Sequence, residues 1–325
     1  MQQTKRHHYV PKAYLKAFCD AKGKLLVYRK EGPPEPLYVS PDATQFRRYY
    51  YSQESENGEQ DNNTLEELFS TVETDWPKTV AMLRNGENVN DRLEYIFNFI
   101  ALQRARVPAA RDAIEAQQAR VVKDTFDQMF ADGMFPPPPP GLDLSKVQVT
   151  IDPNRSLQAI PNILNGMGEL FSRMGIMAVH NNTGRPFLTS DNPVLWFDPT
   201  LPFREQLPYT IGKNHGAAIL FFFPVSPDLA ILGSNEYRAG FSTDGLIYSE
   251  VPDEAWVEMM NAQVCRFGYE AVIARQSGQE EIIQAFLDVS PIHQAISMPS
   301  VKGKATLHQH VFGKRALKPK WIAKN

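Results

Sequence analysis

The chain reads as an α+β protein, with a helical N-terminal half packed with a mixed or antiparallel sheet supplied by the C-terminal half. From residue 63 to 133, apolar side chains recur at three- and four-residue spacing behind helix-start signals. From 176 to 274 they come instead in short runs bounded by turn residues, the habit of strands. At 42% hydrophobic and 22% charged, the composition excludes wholesale disorder, and no fixed-period repeat suggests a solenoid or propeller.

Taken in order, Lys24-Leu25-Leu26-Val27-Tyr28-Arg29 has the apolar character of a strand, and Glu31 to Pro36 closes it as a turn. Asn63-Thr64-Leu65-Glu66 has the form of a capping box, and Leu65, Leu68, Phe69, Val72 and Trp76 continue a helical stripe until Pro77 interrupts it. Asp91-Arg92-Leu93-Glu94 opens a second helix, with Leu93, Ile96, Phe97 and Ile100 on its buried side. Pro108 stands where a third would begin, running through Ile114, Val121, Val122, Phe126 and Met129 to Gly133. Phe135 and Pro136 to Pro140, closed by Gly141, form an extended polyproline segment. Next come a helix from Leu157 to Met174, kinked or split at Pro161, and a hairpin of Ile176 to His180 with Phe187 to Ser190 around Asn181-Asn182-Thr183-Gly184. Strands at Ala217 to Val225, Leu229 to Leu232 and Ala271 to Ala274, with an amphipathic helix from Asp253 to Arg266, complete the expected elements. The organisation expected is a single α+β domain over 1–312 with an internal proline-rich loop at 135–141, followed by a basic tail at 313–325.

Several classes drop out. No apolar run approaches the roughly 20 residues of a membrane helix, and the N-terminus lacks the apolar core and cleavage site of a secretory signal, so a cytoplasmic protein without membrane contact is expected. Cys19 and Cys265 are too few for a disulfide framework or a multi-cysteine zinc site. A net charge of -3 gives no global pull on nucleic acid, although the ends are basic and Glu54 to Asp75 is acidic. Glycine-rich phosphate loops, a dinucleotide fingerprint, a His-Glu-x-x-His helix and a nucleophile elbow are all missing, so no nucleotide cofactor is expected.

Chemistry concentrates in three segments. His7 and His8 open the run through Pro11 to Phe18, and imidazoles titrate near neutral pH; neighbours in a strand face opposite ways, so one can act while the other packs. Thr189-Ser190-Asp191-Asn192-Pro193 ends an apolar strand in a cluster of donors and acceptors, which suits either a site at a strand tip or an Asx turn satisfying its own backbone. Gln103 and Arg106 continue a partly apolar helix face, and a buried Arg106 needs an anionic partner, either Asp191 or Glu73. The candidate catalytic residues are therefore His7, His8, Asp191 and Arg106, with Gln103, Ser190, Asn192 and Glu73 as substrate-binding groups. Glu66 reads more simply as the reciprocal partner of its cap. His308-Gln309-His310 spaces two imidazoles along one side of a strand, a weak metal pair, and Arg47-Arg48-Tyr49-Tyr50-Tyr51 mixes cations with rings as single-strand binders do.

These segments, His7-His8-Tyr9-Val10-Pro11 with Tyr14, Leu15 and Phe18, Phe99 to Gln103 with Arg106 and Pro108, Thr189 to Pro193, and Phe223-Pro224-Val225-Ser226-Pro227, together resemble the family known as domain of unknown function 4238. The resemblance covers about His7 to Arg275 and implies one microbial soluble domain holding all three polar segments; it carries no assigned activity. From residue chemistry, the first expectation is a hydrolytic enzyme acting on phosphodiesters or nucleic acid, with His8 or His7 as general base, Asp191 orienting it or holding a divalent metal ion, and Arg106 steadying an anion. The alternative is a non-catalytic binding module in which the same residues form a structural polar network. A third reading is single-stranded nucleic-acid contact through Arg47 to Tyr51 and the basic tail.

Overall fold

The computed structural model describes residues 5–54, 60–211, 217–300 and 303–316. An N-terminal arm opens with β1 (Arg6–His8) and turns at Pro11 into the single-turn helix α1 (Lys12–Leu15). Val10, Tyr14, Leu15 and Phe18 have no exposed surface, so this short segment is an anchor of the core. The strands β2 (Leu25–Arg29), β3 (Leu37–Val39), β4 (Phe46–Arg48), β5 (Gln53–Glu54) and β6 (Gln60–Asp61) lead into the helices. These are α2 (Thr64–Glu73), α3 (Trp76–Arg84), α4 (Leu93–Arg106), α5 (Pro108–Ala131), α6 (Pro153–Leu157) and α7 (Ile160–Ser172).

Pro77, Pro108 and Pro161 each lie in the first turn of a helix, where a missing N–H leaves no bond unmade. Pro161 therefore starts α7 and does not kink a longer helix. Asn63 makes no side-chain cap on α2; Asp61 Oδ1 accepts from the amides of Asn63 at 2.9 Å and Thr64 at 3.1 Å. The capping function thus falls two residues earlier, leaving Glu66 available to another partner.

The C-terminal half supplies β7 (Gly175–His180), β8 (Thr189–Ser190), β9 (Leu195–Phe197), β10 (Leu220–Ser226), β11 (Leu229–Ser234), α8 (Arg238–Asp244) and β12 (Ile247–Glu250). It continues through α9 (Glu254–Phe267), β13 (Ala271–Ala274), α10 (Glu280–Ala285), β14 (Ser290–Ser300) and β15 (Gly303–Gly313). One sheet runs β12-β7-β11-β10-β9, antiparallel except for the parallel β12–β7 pair. A second runs β3-β2-β13-β8 and so joins strands from both halves of the chain. The chain is α+β, with its larger sheet drawn wholly from the C-terminal half and its second sheet shared.

The hairpin expected at 176–190 does not form. β7 pairs with β11 and β12, whereas β8 pairs with β13 in the other sheet. Asn181 explains the divergence: its amide binds Asp228 O at 2.8 Å, and its side chain holds Arg185 O at 2.8 Å and Pro227 O at 3.3 Å. The turn is therefore fastened to the β10–β11 corner, which carries the chain across to the second sheet.

β10 is buried on both faces, which accounts for its uninterrupted apolar run. Phe221 and Phe223 belong to the cluster with the arm, α3, α4 and α7, while Phe222 belongs to the cluster with α9 and the second sheet. Trp76 stacks on Phe99 at 3.8 Å within the first cluster, and the Tyr14 hydroxyl reaches both Pro224 O and Thr189 Oγ1 at 2.6 Å, tying the arm to both sheets. Among the described residues no helix is long and apolar enough to cross a membrane.

The β14–β15 hairpin, which the sequence pattern does not announce, packs on α5 through Arg120 to Ser297 and Thr306 to Asp124. Beyond it, Lys314 pairs with Asp288, and Arg315 with Glu31 and Glu270, so the start of the expected tail is docked; residues 317–325 lie outside the described residues. At Gly245, φ is +74° and an added Cβ would lie 2.2 Å from Asn90 Oδ1, the atom that accepts the Leu246 amide. Gly245→Ala is expected to cost about 1–3 kcal/mol, read as a lowered denaturant midpoint; an unchanged midpoint would show that this turn relaxes freely.

Candidate functional site

The antiparallel pairing of β1 with β4 sets His7 opposite Arg47 and His8 opposite Phe46, and strand alternation sends the two imidazoles to opposite faces. His7 is fully buried, stacked on Tyr51 at 5.5 Å, and its Nδ1 accepts the Tyr51 amide at 2.8 Å. It packs. His8 is half-buried beside the Phe46 ring, and its Nε2 has no partner. Burial, aided by the nearby Lys12 ammonium and opposed by Asp42, lowers the His8 imidazole to about 4. At neutral pH it is uncharged.

Beside His8 lies Glu66, which α2 presents toward the arm. Burial, reinforced by Glu73, pushes its carboxyl up to about 7 against the opposing pull of Arg106, the His8 amide and Lys12. Arg106, at the end of α4, is 2% exposed and donates to Glu73 Oε1 at 2.6 Å and to Gln103 Oε1 at 3.2 Å. Its guanidinium also lies 5.2 Å from the Phe69 ring centre. Gln103 in turn donates to Tyr9 O at 3.3 Å, and the Tyr51 hydroxyl to His8 O at 3.2 Å. The structure thus gathers His7, His8, Gln103, Arg106 and Glu73 around the arm and adds Glu66, Tyr51 and Lys12. Of the two partners expected for Arg106, it takes Glu73.

Ser190, Asp191 and Asn192 stand apart from this group, all without exposed surface. Asp191 accepts the amides of Tyr269 and Glu270, each at 2.8 Å, and its own amide donates to Ala271 O. Burial and the Glu270 charge raise its carboxyl to about 6 despite those amides. Ser190 Oγ accepts the Asn192 amide at 3.1 Å, and Asn192 Nδ2 donates to Phe267 O at 2.8 Å. The tip fastens β8 to the α9–β13 turn. Asp191 therefore neither touches His8 nor pairs with Arg106; Tyr9 lies between the groups, its carbonyl bound by Gln103 and its hydroxyl raised by burial and then by Asp191 and Glu270.

The ring-rich segment after β4 turns inward. Arg47 pairs with Glu270 at 2.5 Å and lies over the Tyr9 and Tyr50 rings, Tyr51 is buried, and Arg48 and Tyr49 face solvent. His308 and His310 do share a side of β15, facing His293 on β14, but His293 Nε2 and His308 Nδ1 are hydrogen-bonded to each other at 3.0 Å. Among the described residues no group of three or more His, Cys, Asp or Glu could hold a metal ion.

The role of Glu66 is masked in the sequence by its place in a capping pattern, and that of Lys12 by its place in an amphipathic arm. Only the docking of the arm on α2 brings Glu66 to His8, whereas Lys12 lies on the arm itself. No curated protein and no solved structure matches the chain. The sequence model of one family, described as a protein of unknown function (DUF4238), matches residues 6–278, and the chain belongs to that family.

Proposed function

We propose that the chain is a hydrolytic enzyme acting on an anionic ester of the phosphodiester class, with His8 as general base and Glu66 as general acid. The observation that carries this reading is the opposite displacement of two groups at the arm, the His8 imidazole down to about 4 and the Glu66 carboxyl, which takes the His8 backbone amide, up to about 7. Environments that drive neighbouring titratable groups apart are how one site holds a base and an acid at the same pH. His8 Nε2 is unpartnered and uncharged but covered, so it takes a proton from water only when the side chains over it move aside; protonated Glu66 can return one to the leaving oxygen. Lys12, half-exposed, paired with Asp42 at 3.0 Å and acting on both groups, is the cation an ester oxyanion would meet in exchange for that carboxylate. Arg106 is a positioning residue that tunes Glu66 through the Glu73 pair.

Hydrolysis of bis(p-nitrophenyl) phosphate by the full chain tests this. The rate should be bell-shaped, with limbs near pH 4 and 7, because activity needs His8 deprotonated and Glu66 protonated. His8→Ala and Glu66→Gln should each lose about a hundredfold or more with melting temperature preserved. Activity no greater than the buffer blank, or variants as active as the parent, would refute it. A second reading, a network that fixes the arm without catalysis, draws support from the Gln103 bond to Tyr9 O and the Tyr51 bond to His7. On that reading the same variants lose stability and there is no turnover to lose.

A further inference from the structure

The β1–β4 pair is a two-stranded ribbon with two unlike faces. Strand alternation puts His7 and Arg47 on the inner face, where His7 stacks on Tyr51 and Arg47 pairs with Glu270. The outer face carries Arg6 opposite Arg48 and His8 opposite Phe46. Arg6 and Arg48 are both exposed, and neither is paired with a carboxylate among the described residues. Like charges set directly opposite each other destabilise a strand pair, and a bound anion would relieve this one.

Rings line the same face. The Arg6 guanidinium lies 5.0 Å from the centre of the Phe46 ring, which in turn meets the His8 imidazole at 5.4 Å. Tyr49, directly after β4, is 42% exposed, and its amide is held by Lys5 O at 3.2 Å. Two carboxyl groups stand at the His8 end: Asp42, paired with Lys12, and Glu66, which burial pushes up to about 7. Arg6 and Arg48 remain as the excess charge of the face.

We propose that the outer face of the β1–β4 ribbon, with Arg6, Arg48, Phe46 and Tyr49, is a binding track for single-stranded nucleic acid that leads to His8. This deepens the hydrolytic reading and rests on it for the bond to be cut, not for the binding of the strand. Guanidinium forks match phosphate oxygens. Exposed rings offer a stacking surface that only unstacked bases can use, which favours a single strand over a duplex, whereas an acidic peptide would use the charge and leave the rings idle. Side chains two residues apart on one strand are separated by about 6.7 Å, a step comparable with that between successive phosphates of an extended strand. A phosphate held at Arg6 and Arg48 therefore sets its neighbour at His8.

Fluorescence anisotropy of a labelled oligothymidylate with the full chain tests the track, with a duplex of equal length and polyglutamate as competitors. The single strand should bind more tightly than either competitor, and its affinity should fall steeply as salt rises. Arg6→Glu should weaken binding at least tenfold yet hold or raise the melting temperature, because it turns a like-charge pair with Arg48 into an opposite-charge one. Arg48→Gln and Tyr49→Asn should each cost about fivefold, the second because a stacking ring is lost at a position where φ is +54° and Asn is tolerated. Parent-like affinity in Arg6→Glu, equal binding of duplex or polyglutamate, or affinity indifferent to salt would overturn the proposal. A chain that binds the strand but leaves bis(p-nitrophenyl) phosphate intact loses the hydrolytic reading and keeps the track; one that hydrolyses the small diester without binding the strand loses the track alone.

Discussion

Glu73→Ala is expected to destabilise the chain by about 3–5 kcal/mol, since it leaves the 2%-exposed Arg106 guanidinium buried without its anion. The pair is not itself expected to be a large source of stability, because desolvating both charges offsets most of their attraction. The double variant Glu73→Leu with Arg106→Met should therefore recover most of the loss. Guanidinium unfolding reads both, and a midpoint unmoved by Glu73→Ala would show that Arg106 is solvated or otherwise partnered. The same change reaches the acid. Glu73 helps push Glu66 up, and its removal leaves Arg106 free to hold Glu66 down, so the upper limb of the pH–rate profile should move below 7. Because the Glu66 pKa is raised in the folded state, its contribution to stability is full below its ordinary value near 4.5 and is lost as pH rises through about 7. Glu66→Gln should accordingly flatten that part of the stability profile.

Asp191→Ala is expected to cost about 2–6 kcal/mol, from two buried amides, those of Tyr269 and Glu270, losing their acceptor at about 1–3 kcal/mol each. Asp191→Asn keeps one carbonyl oxygen and should lose about half as much. Tolerance of both changes in stability, joined to loss of hydrolysis, would return Asp191 to the chemistry and displace the strut role that its hydrogen bonds describe.

Local structure was legible where one segment carries its own instructions. Pro108 begins α5, Gly133 ends it at φ +71°, β13 occupies Ala271–Ala274, and α9 runs from Glu254 to Phe267 where a helix from Asp253 to Arg266 is expected, all as the residue pattern predicts. Pairing was not legible. Whether β8 joins β7 or β13 depends on Asn181 reaching the β10–β11 corner, a long-range event that hydrophobic alternation does not encode. Adjacent imidazoles on opposite strand faces, and the need of Arg106 for an anion, followed from geometry and charge, and Glu73 was within reach of that argument. Glu66 was obscured by a capping pattern whose task Asp61 performs. α4 is buried on several sides, so its apolar pattern does not separate an inward-facing arginine from its neighbours.

A side-chain NMR titration of the full chain reads directly whether His8 and Glu66 are displaced in opposite directions. The expected result is a His8 imidazole that stays neutral down to about pH 4 and a Glu66 carboxyl that titrates near 7. A His8 midpoint near 6.5 with a Glu66 midpoint near 4.5, the ordinary values of the two groups, would rule out the acid–base pair.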